Sequence, residues 1–214
     1  MINIVFDMDG VLFDTQKLYI KAWHEVADIL GIPNISEPAY LCIGRNEDDQ
    51  TEILDKYYPN GFPYEKFKKL KREKLLSYVE KDVPLMKGTK ELLEYLKEIG
   101  AKVAIASSTR QSVIRHHLEL TGLTGYFEKI ISGDMVEHSK PAPDIYLMAC
   151  KELGVEPFEA FAVEDSYNGI RSAAAAGLKT VMIPDMQPYN EEMQKLVHGC
   201  FENLLVFKEY LKTI

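Results

Sequence analysis

The chain has 214 residues, 46% of them hydrophobic, and 25 basic against 33 acidic side chains give a net charge of −8. That is enough apolar material for a full core, as one domain or as a core with an insertion, and an acidic balance without a long charged block argues against nucleic-acid or anionic-membrane binding. No run approaches the roughly 20 apolar residues of a membrane span and no signal-like segment precedes the first strand, so a cytoplasmic protein, monomeric by default, is expected.

In chain order, residues 2–6 form a short, mostly apolar run that reads as a buried parallel strand. Asp7 and Asp9 emerge at its carboxyl end. Residues two apart in an extended chain point to one side, so both carboxylates can face one site, the first placed to attack and the second to exchange a proton. Like charges this close disfavour each other's ionisation and persist best beside a cation. The pair therefore predicts a metal. Asp-Met-Asp-Gly also suits an ordinary turn, but a calcium loop fails because Val11 stands where a further ligand is needed.

Apolar residues at Leu18, Ala22, Val26, Ile29 and Leu30 predict a helix over 16–30, capped by Asp14 or Thr15 and closed by Gly31 and Pro33. Trp23 is expected in a core, and His24-Glu25 lacks the second histidine of a zinc peptidase. Residues 34–83 carry no strand signal. They read as a helix over 46–56 after a Gly44-Arg45 turn, a breaker-rich loop over 57–63, and a helix over 64–81. The lysines of that last helix are interrupted by Glu65 and Glu73, which favours a solvated face over a nucleic-acid site. Cys42, Cys150 and Cys200 are far apart, without CxxC spacing, and are expected to be reduced core thiols.

From Pro84 the pattern alternates: helix 89–99, strand 102–106, helix 111–121, strand 129–131, helix 144–153, strand 160–163, helix 168–176, strand 179–183, then a weak strand near 200–201 and a helix over 204–211. Alternation of this kind implies crossover units and a doubly wound α/β core around a parallel sheet. Residues 1–15 and 84–214 form that core, and 16–83 a helical insertion after the first strand.

Ligands bind such sheets beyond the carboxyl ends of the strands. The residues found there are Asp7 and Asp9, then Ser107 and Ser108, then Glu164 and Asp165, with Lys140 in Ser-Lys-Pro-Ala-Pro between them. Ser107 or Ser108 suits either a helix N-cap or a phosphate oxygen. Lys140 is either a surface lysine or an ammonium stiffly held over a phosphoryl group. Hard carboxylate oxygens suit Mg2+ together with a substrate phosphate. No P-loop and no GxGxxG follows a strand.

The ordered set Phe6-Asp7-Met8-Asp9-Gly10-Val11-Leu12, Ala106-Ser107-Ser108, Ser139-Lys140-Pro141-Ala142-Pro143-Asp144 and Val163-Glu164-Asp165-Ser166 resembles the haloacid dehalogenase superfamily, in its β-phosphoglucomutase-like phosphatase branch, over essentially the whole chain. The resemblance implies Asp7 as the nucleophile that forms an aspartyl-phosphate and Asp9 as acid and base. It implies Ser107 and Lys140 on the phosphate, with Ser108 beside them. It also implies Mg2+ held by Asp7, the Asp9 carbonyl and Asp165, with Glu164 as a ligand or just behind. The inserted helices match the family's small cap, with hinges at 12–15 and 83–85 and a substrate loop around Gly44 and Arg45.

Asp9 separates the chain from family dehalogenases and phosphonate-cleaving members, which lack that aspartate. Related sugar phosphomutases carry a histidine where Tyr19 stands and basic residues near Ile43 and Glu47, with Arg45 shifted from that register. A magnesium-dependent phosphatase acting on a small phosphorylated metabolite, such as a sugar phosphate, is therefore preferred to a β-phosphoglucomutase. A phospho-accepting receiver also gathers acids, a hydroxyl and a lysine, but on a later strand and without an inserted helical unit.

Overall fold

The strand β1 (Asn3–Phe6) is buried along its whole length because it lies inside a parallel sheet, where neither face meets water. In the computed structural model, which describes all residues except Met1, Gly44, Asn46 and Lys81 and the side chains of Glu47 and Asp48, five further strands flank it. These are β2 (Lys102–Ser107), β3 (Lys129–Ser132), β4 (Ala160–Glu164), β5 (Lys179–Met182) and β6 (Gly199–Cys200). The order is β3-β2-β1-β4-β5-β6 and every pairing is parallel.

Among the described residues, the segment inserted after β1 carries α1 (Gln16–Leu30), α2 (Ser36–Leu41), α3 (Glu47–Tyr57) and α4 (Tyr64–Val79). The remainder are α5 (Thr89–Glu98), α6 (Gln111–Thr121), α7 (Asp144–Leu153), α8 (Tyr167–Ala175), α9 (Glu191–Leu196) and α10 (Leu204–Leu211). Side chains alternate across a strand, so β1 feeds two cores. Ile4 and Phe6 join Leu92, Leu96, Ile114, Leu118 and Phe207 of α5, α6 and α10 on one face. Val5 joins Ala104, Ala106 and Ala162 on the other. The small residues there let α7 come close enough to bury Tyr146 completely.

The inserted helices have a hydrophobic cluster of their own, in which Trp23 and Phe67 meet edge to face at 5.0 Å and Phe62 packs on Phe67 at 5.0 Å. Met186, just after β5, packs against this cluster. The two chain crossings run side by side: the Asp14 amide donates to the Pro84 carbonyl at 2.8 Å and the Met86 amide to Leu12 at 3.0 Å.

Several expectations need correction. Thr15 flanks α1 but its hydroxyl caps nothing, because it is drawn to Asp9 instead. Neither Ser107 nor Ser108 is an N-cap, since α6 starts after Arg110. Cys200 is exposed rather than a core thiol, because β6 is a two-residue edge strand; all three cysteines are free. The helix expected over 64–81 ends at Val79, and the position of Lys81 lies outside the described residues. Helices α2 and α9 were not expected. Pro38 sits in the first turn of α2, where its missing amide is harmless, and α9 is started in a proline-rich stretch by Asn190, whose side chain accepts from the Met193 amide at 2.9 Å. Among the described residues no helix is long and apolar enough to cross a membrane.

Candidate active site

Strand order reverses at β1, with β2 on one side and β4 on the other, and such a switch point opens a crevice at the strands' carboxyl ends. The register aligns Phe6 with Val163, and the Asp7 amide continues the ladder by donating to Val163 at 2.9 Å. Asp7 therefore sits beside Glu164 and Asp165. One carboxylate oxygen from each of these three buried residues lies within 4.8 Å of the others.

Lys140 reaches this cluster from the loop before α7 and is 3% exposed. Its ammonium donates to Asp7 Oδ1 and Glu164 Oε1, each at 2.6 Å, and to the Ala106 carbonyl at 3.0 Å. That satisfies all three protons. Burial opposes the ammonium, but the Asp7 and Glu164 carboxylates outweigh it and hold the lysine charged, above its ordinary range. No hydrogen bond among the described residues engages Asp7 Oδ2, so one oxygen of this carboxylate is fixed and the other is left to react.

Glu164 is fully buried and saturated. Its Oε1 also accepts from Tyr146 at 2.7 Å, and its Oε2 accepts from the Asp165 amide and from the Ser166 amide and hydroxyl. Asp9 is held differently: Thr15 donates to Oδ1 at 2.5 Å and Thr109 to Oδ2 at 2.8 Å. Its carboxylate thus stands apart from the buried three, fixed by two neutral hydroxyls. The tight turn behind it is closed by the Met8 carbonyl, which accepts from Leu12 and Phe13, and by Gly10 at φ +85°.

The site is short of positive charge. Burial pushes the Asp7 carboxyl up to about 7, with Lys140 opposing and Glu164 and Asp9 adding to the rise. Burial, together with Glu164, Asp7 and Asp185, pushes Asp165 well above the carboxylate range. A divalent cation relieves such crowding. Hard carboxylate oxygens of Asp7 and Asp165 in this buried cluster fit Mg2+, which takes one or two carboxylates and keeps its other positions for water and phosphate.

Of the other residues singled out from sequence, Ser107 ends β2, buried, with its hydroxyl accepting from the Thr109 amide at 3.1 Å. Ser108 is exposed, and among the described residues no hydrogen bond joins it to the acidic cluster. Arg45 is exposed, donating from Nε to the Leu41 carbonyl at 2.9 Å with Nη1 3.9 Å from Asp49, and Gly44 lies outside the described residues. Sequence reasoning missed Thr15, Gln16, Thr109 and Tyr146. Their signal was only adjacency: each lies within four residues of a motif boundary, Thr15, Gln16 and Thr109 at places where a polar side chain reads as loop or cap.

An acidic cluster with one buried lysine at the switch point of a parallel sheet suits a phosphoryl-handling centre. A model of the haloacid dehalogenase-like hydrolase family matches residues 4–183, and the chain belongs to that family. It is 34% identical over 181 residues to a phosphorylated carbohydrates phosphatase of Thermotoga maritima, covering 83% of this chain and 82% of that one. Hexitol phosphatase B of Escherichia coli is 30% identical over 190 residues, covering 87% and 85%. The crystal structure of CbbY from Rhodobacter sphaeroides in complex with phosphate superposes with a TM-score of 0.78 at 27% identity, over 95% of each chain.

Proposed function

We propose that the protein is a magnesium-dependent phosphatase of small phosphorylated metabolites, sugar phosphates foremost, working through a covalent phosphoryl-Asp7. The observation that carries this is the asymmetry of Asp7: Oδ1 is pinned by the buried Lys140, and Oδ2 has no hydrogen bond among the described residues. Oδ2 attacks phosphorus and the bond to the leaving oxygen breaks, while Asp9 gives that oxygen its proton. Asp9 then takes a proton from water as the water attacks the same phosphorus, the Asp7 oxygen–phosphorus bond breaks, and inorganic phosphate leaves. Splitting one hard hydrolysis into two displacements by well-placed groups is the gain.

Asp7, the Asp9 carbonyl and Asp165 would hold the Mg2+. When bound, it supplies charge stabilisation to the phosphoryl oxygens. Lys140 keeps Asp7 oriented and offsets charge around the phosphoryl group, with Ser107 and Ser108 on the phosphate side. Glu164, its oxygens already engaged by Lys140, Tyr146 and the loop that follows, acts by fixing Lys140 rather than as a ligand.

We read residues 16–83 as a cap over a core made of 1–15 and 84–214, hinged at 12–15 and 83–85, where the two crossings pair. Support comes from the separate cluster of the inserted helices and its contact with Met186. Gly44 and Arg45 would border the leaving group. Tyr19 stands where a mutase carries histidine; its hydroxyl and Gln50 Oε1 are 3.2 Å apart, and Lys71 lies 3.4 Å from that hydroxyl. The names of the relatives support a carbohydrate phosphate as substrate.

The test is phosphate release from p-nitrophenyl phosphate and a panel of sugar phosphates. Asp7→Asn is expected to lose about 10⁴-fold or more in turnover with its fold intact. Retained turnover in that variant moves the nucleophile elsewhere, and conversion of β-glucose 1-phosphate to glucose 6-phosphate without free phosphate makes the protein a mutase.

A further inference from the structure

Gln16 opens α1, where a polar side chain ordinarily turns to water, yet it is 7% exposed and points back into the acidic cluster. Its Nε2 donates to the Asp9 carbonyl at 3.1 Å and also to Asp165 Oδ2. These are two of the oxygens assigned above to the cation, one from each side of the β1–β4 crevice. The other terminal atom, Oε1, is buried without a hydrogen-bond partner among the described residues. An orphaned buried carbonyl is unfavourable, and proteins keep one mainly where the side chain has a second use. Gly10 makes the approach feasible, because a Cβ there would collide with both Gln16 Nε2 and the Asp165 carboxylate. An amide NH2 and a metal ion claim the same oxygen lone pairs. With Nε2 within hydrogen-bond distance of both oxygens, the amide and an ion bound to both compete for the space and the lone pairs beside them.

We propose that Gln16 is a resident placeholder for the cation: its carboxamide holds the Asp9 carbonyl and the Asp165 carboxylate together in the metal-free protein and is displaced when a divalent ion binds. The inference rests on the metal reading of the preceding section. Its consequence is that Gln16 weakens magnesium binding while keeping the two loops in register between metal occupancies. The residue is thus a positioning group for the metal site and takes no part in the displacement at phosphorus.

The test is calorimetric titration of Mg2+ into chelator-treated protein, without substrate, for the wild type, Gln16→Met, Gln16→Ala and Asp165→Asn. Methionine keeps the length and bulk of glutamine but has no donor. Gln16→Met is expected to bind Mg2+ about fivefold to tenfold more tightly than wild type, since one competing pair of hydrogen bonds is gone. Equal or weaker binding overturns the proposal. If circular dichroism shows that Gln16→Met misfolds, Gln16→Ala gives the same comparison. Loss of binding in Asp165→Asn without tightening in the Gln16 variants leaves the metal site standing and removes only the placeholder. Binding that survives Asp165→Asn removes both.

Discussion

At the scale of single residues, the site is governed by which polar atoms are left without water. His117, on α6, is buried against Phe13 with ring centroids 5.5 Å apart and an unpartnered Nδ1. Burial, with Asp9 opposing and His116 adding, lowers it from the ordinary 6.5. The unfolded chain therefore takes up this proton first as pH falls. The associated stability is present above the unfolded value and is lost as pH falls through the folded one. Urea unfolding over about pH 5 to 7 is expected to show stability declining toward acid, with a shallower slope in His117→Gln; an unchanged slope means that His117 is not the titrating group. That the carboxylates and the lysine gather was legible from sequence, the carboxylates because they sit at the ends of strands that are themselves legible and Lys140 because of the Ser-Lys-Pro-Ala-Pro run around it. Thr15, Thr109 and Tyr146 were not, since a hydroxyl carries no pattern of its own, and its partner is fixed only when chain segments far apart in sequence meet.

At the scale of elements, the start of α8 matters most. Ser166 caps it by accepting from the Gly169 amide at 3.1 Å, and the same hydroxyl donates to Glu164 Oε2. A Cβ on Gly169 would fall within the Glu164 carboxylate, which its donors hold in place. Gly169→Ala is expected to push Glu164 aside, freeing Lys140. The cost is about 1–3 kcal/mol of stability and at least about tenfold in turnover, checked by chemical denaturation and phosphate release; wild-type activity in this variant contradicts the support given to Lys140. Within the inserted helices, Trp23 is fully buried between Tyr19 and Phe67. Trp23→Ala is expected to cost about 3–5 kcal/mol by leaving a cavity, and a loss under about 1 kcal/mol would deny this cluster its role as a core. The bounds of α1, α6 and α7 were readable because apolar periodicity met a closing glycine at Gly31, Gly122 and Gly154, with prolines beside α1 and α7. Helix α9 was not readable, because six residues are too few to show a period.

At the scale of the whole molecule, alternation of strand and helix from Pro84 onward already required a parallel sheet, and the sheet's order put the acidic residues of β1 and β4 side by side at its switch point. Neither the pinning of one Asp7 oxygen nor the saturation of Glu164 follows from that order. Both depend on how deeply Lys140 and Tyr146 are buried, which is set by the alanines that let α7 settle on the sheet. The central claim is chemical: Asp7 carries the phosphoryl group between two displacements. The most direct measurement is a crystal structure of the wild-type protein trapped with beryllium fluoride and Mg2+. Beryllium is expected bonded to the Asp7 carboxylate, with Asp9 facing the side opposite that bond, from which water attacks. An adduct on any other side chain would contradict the account.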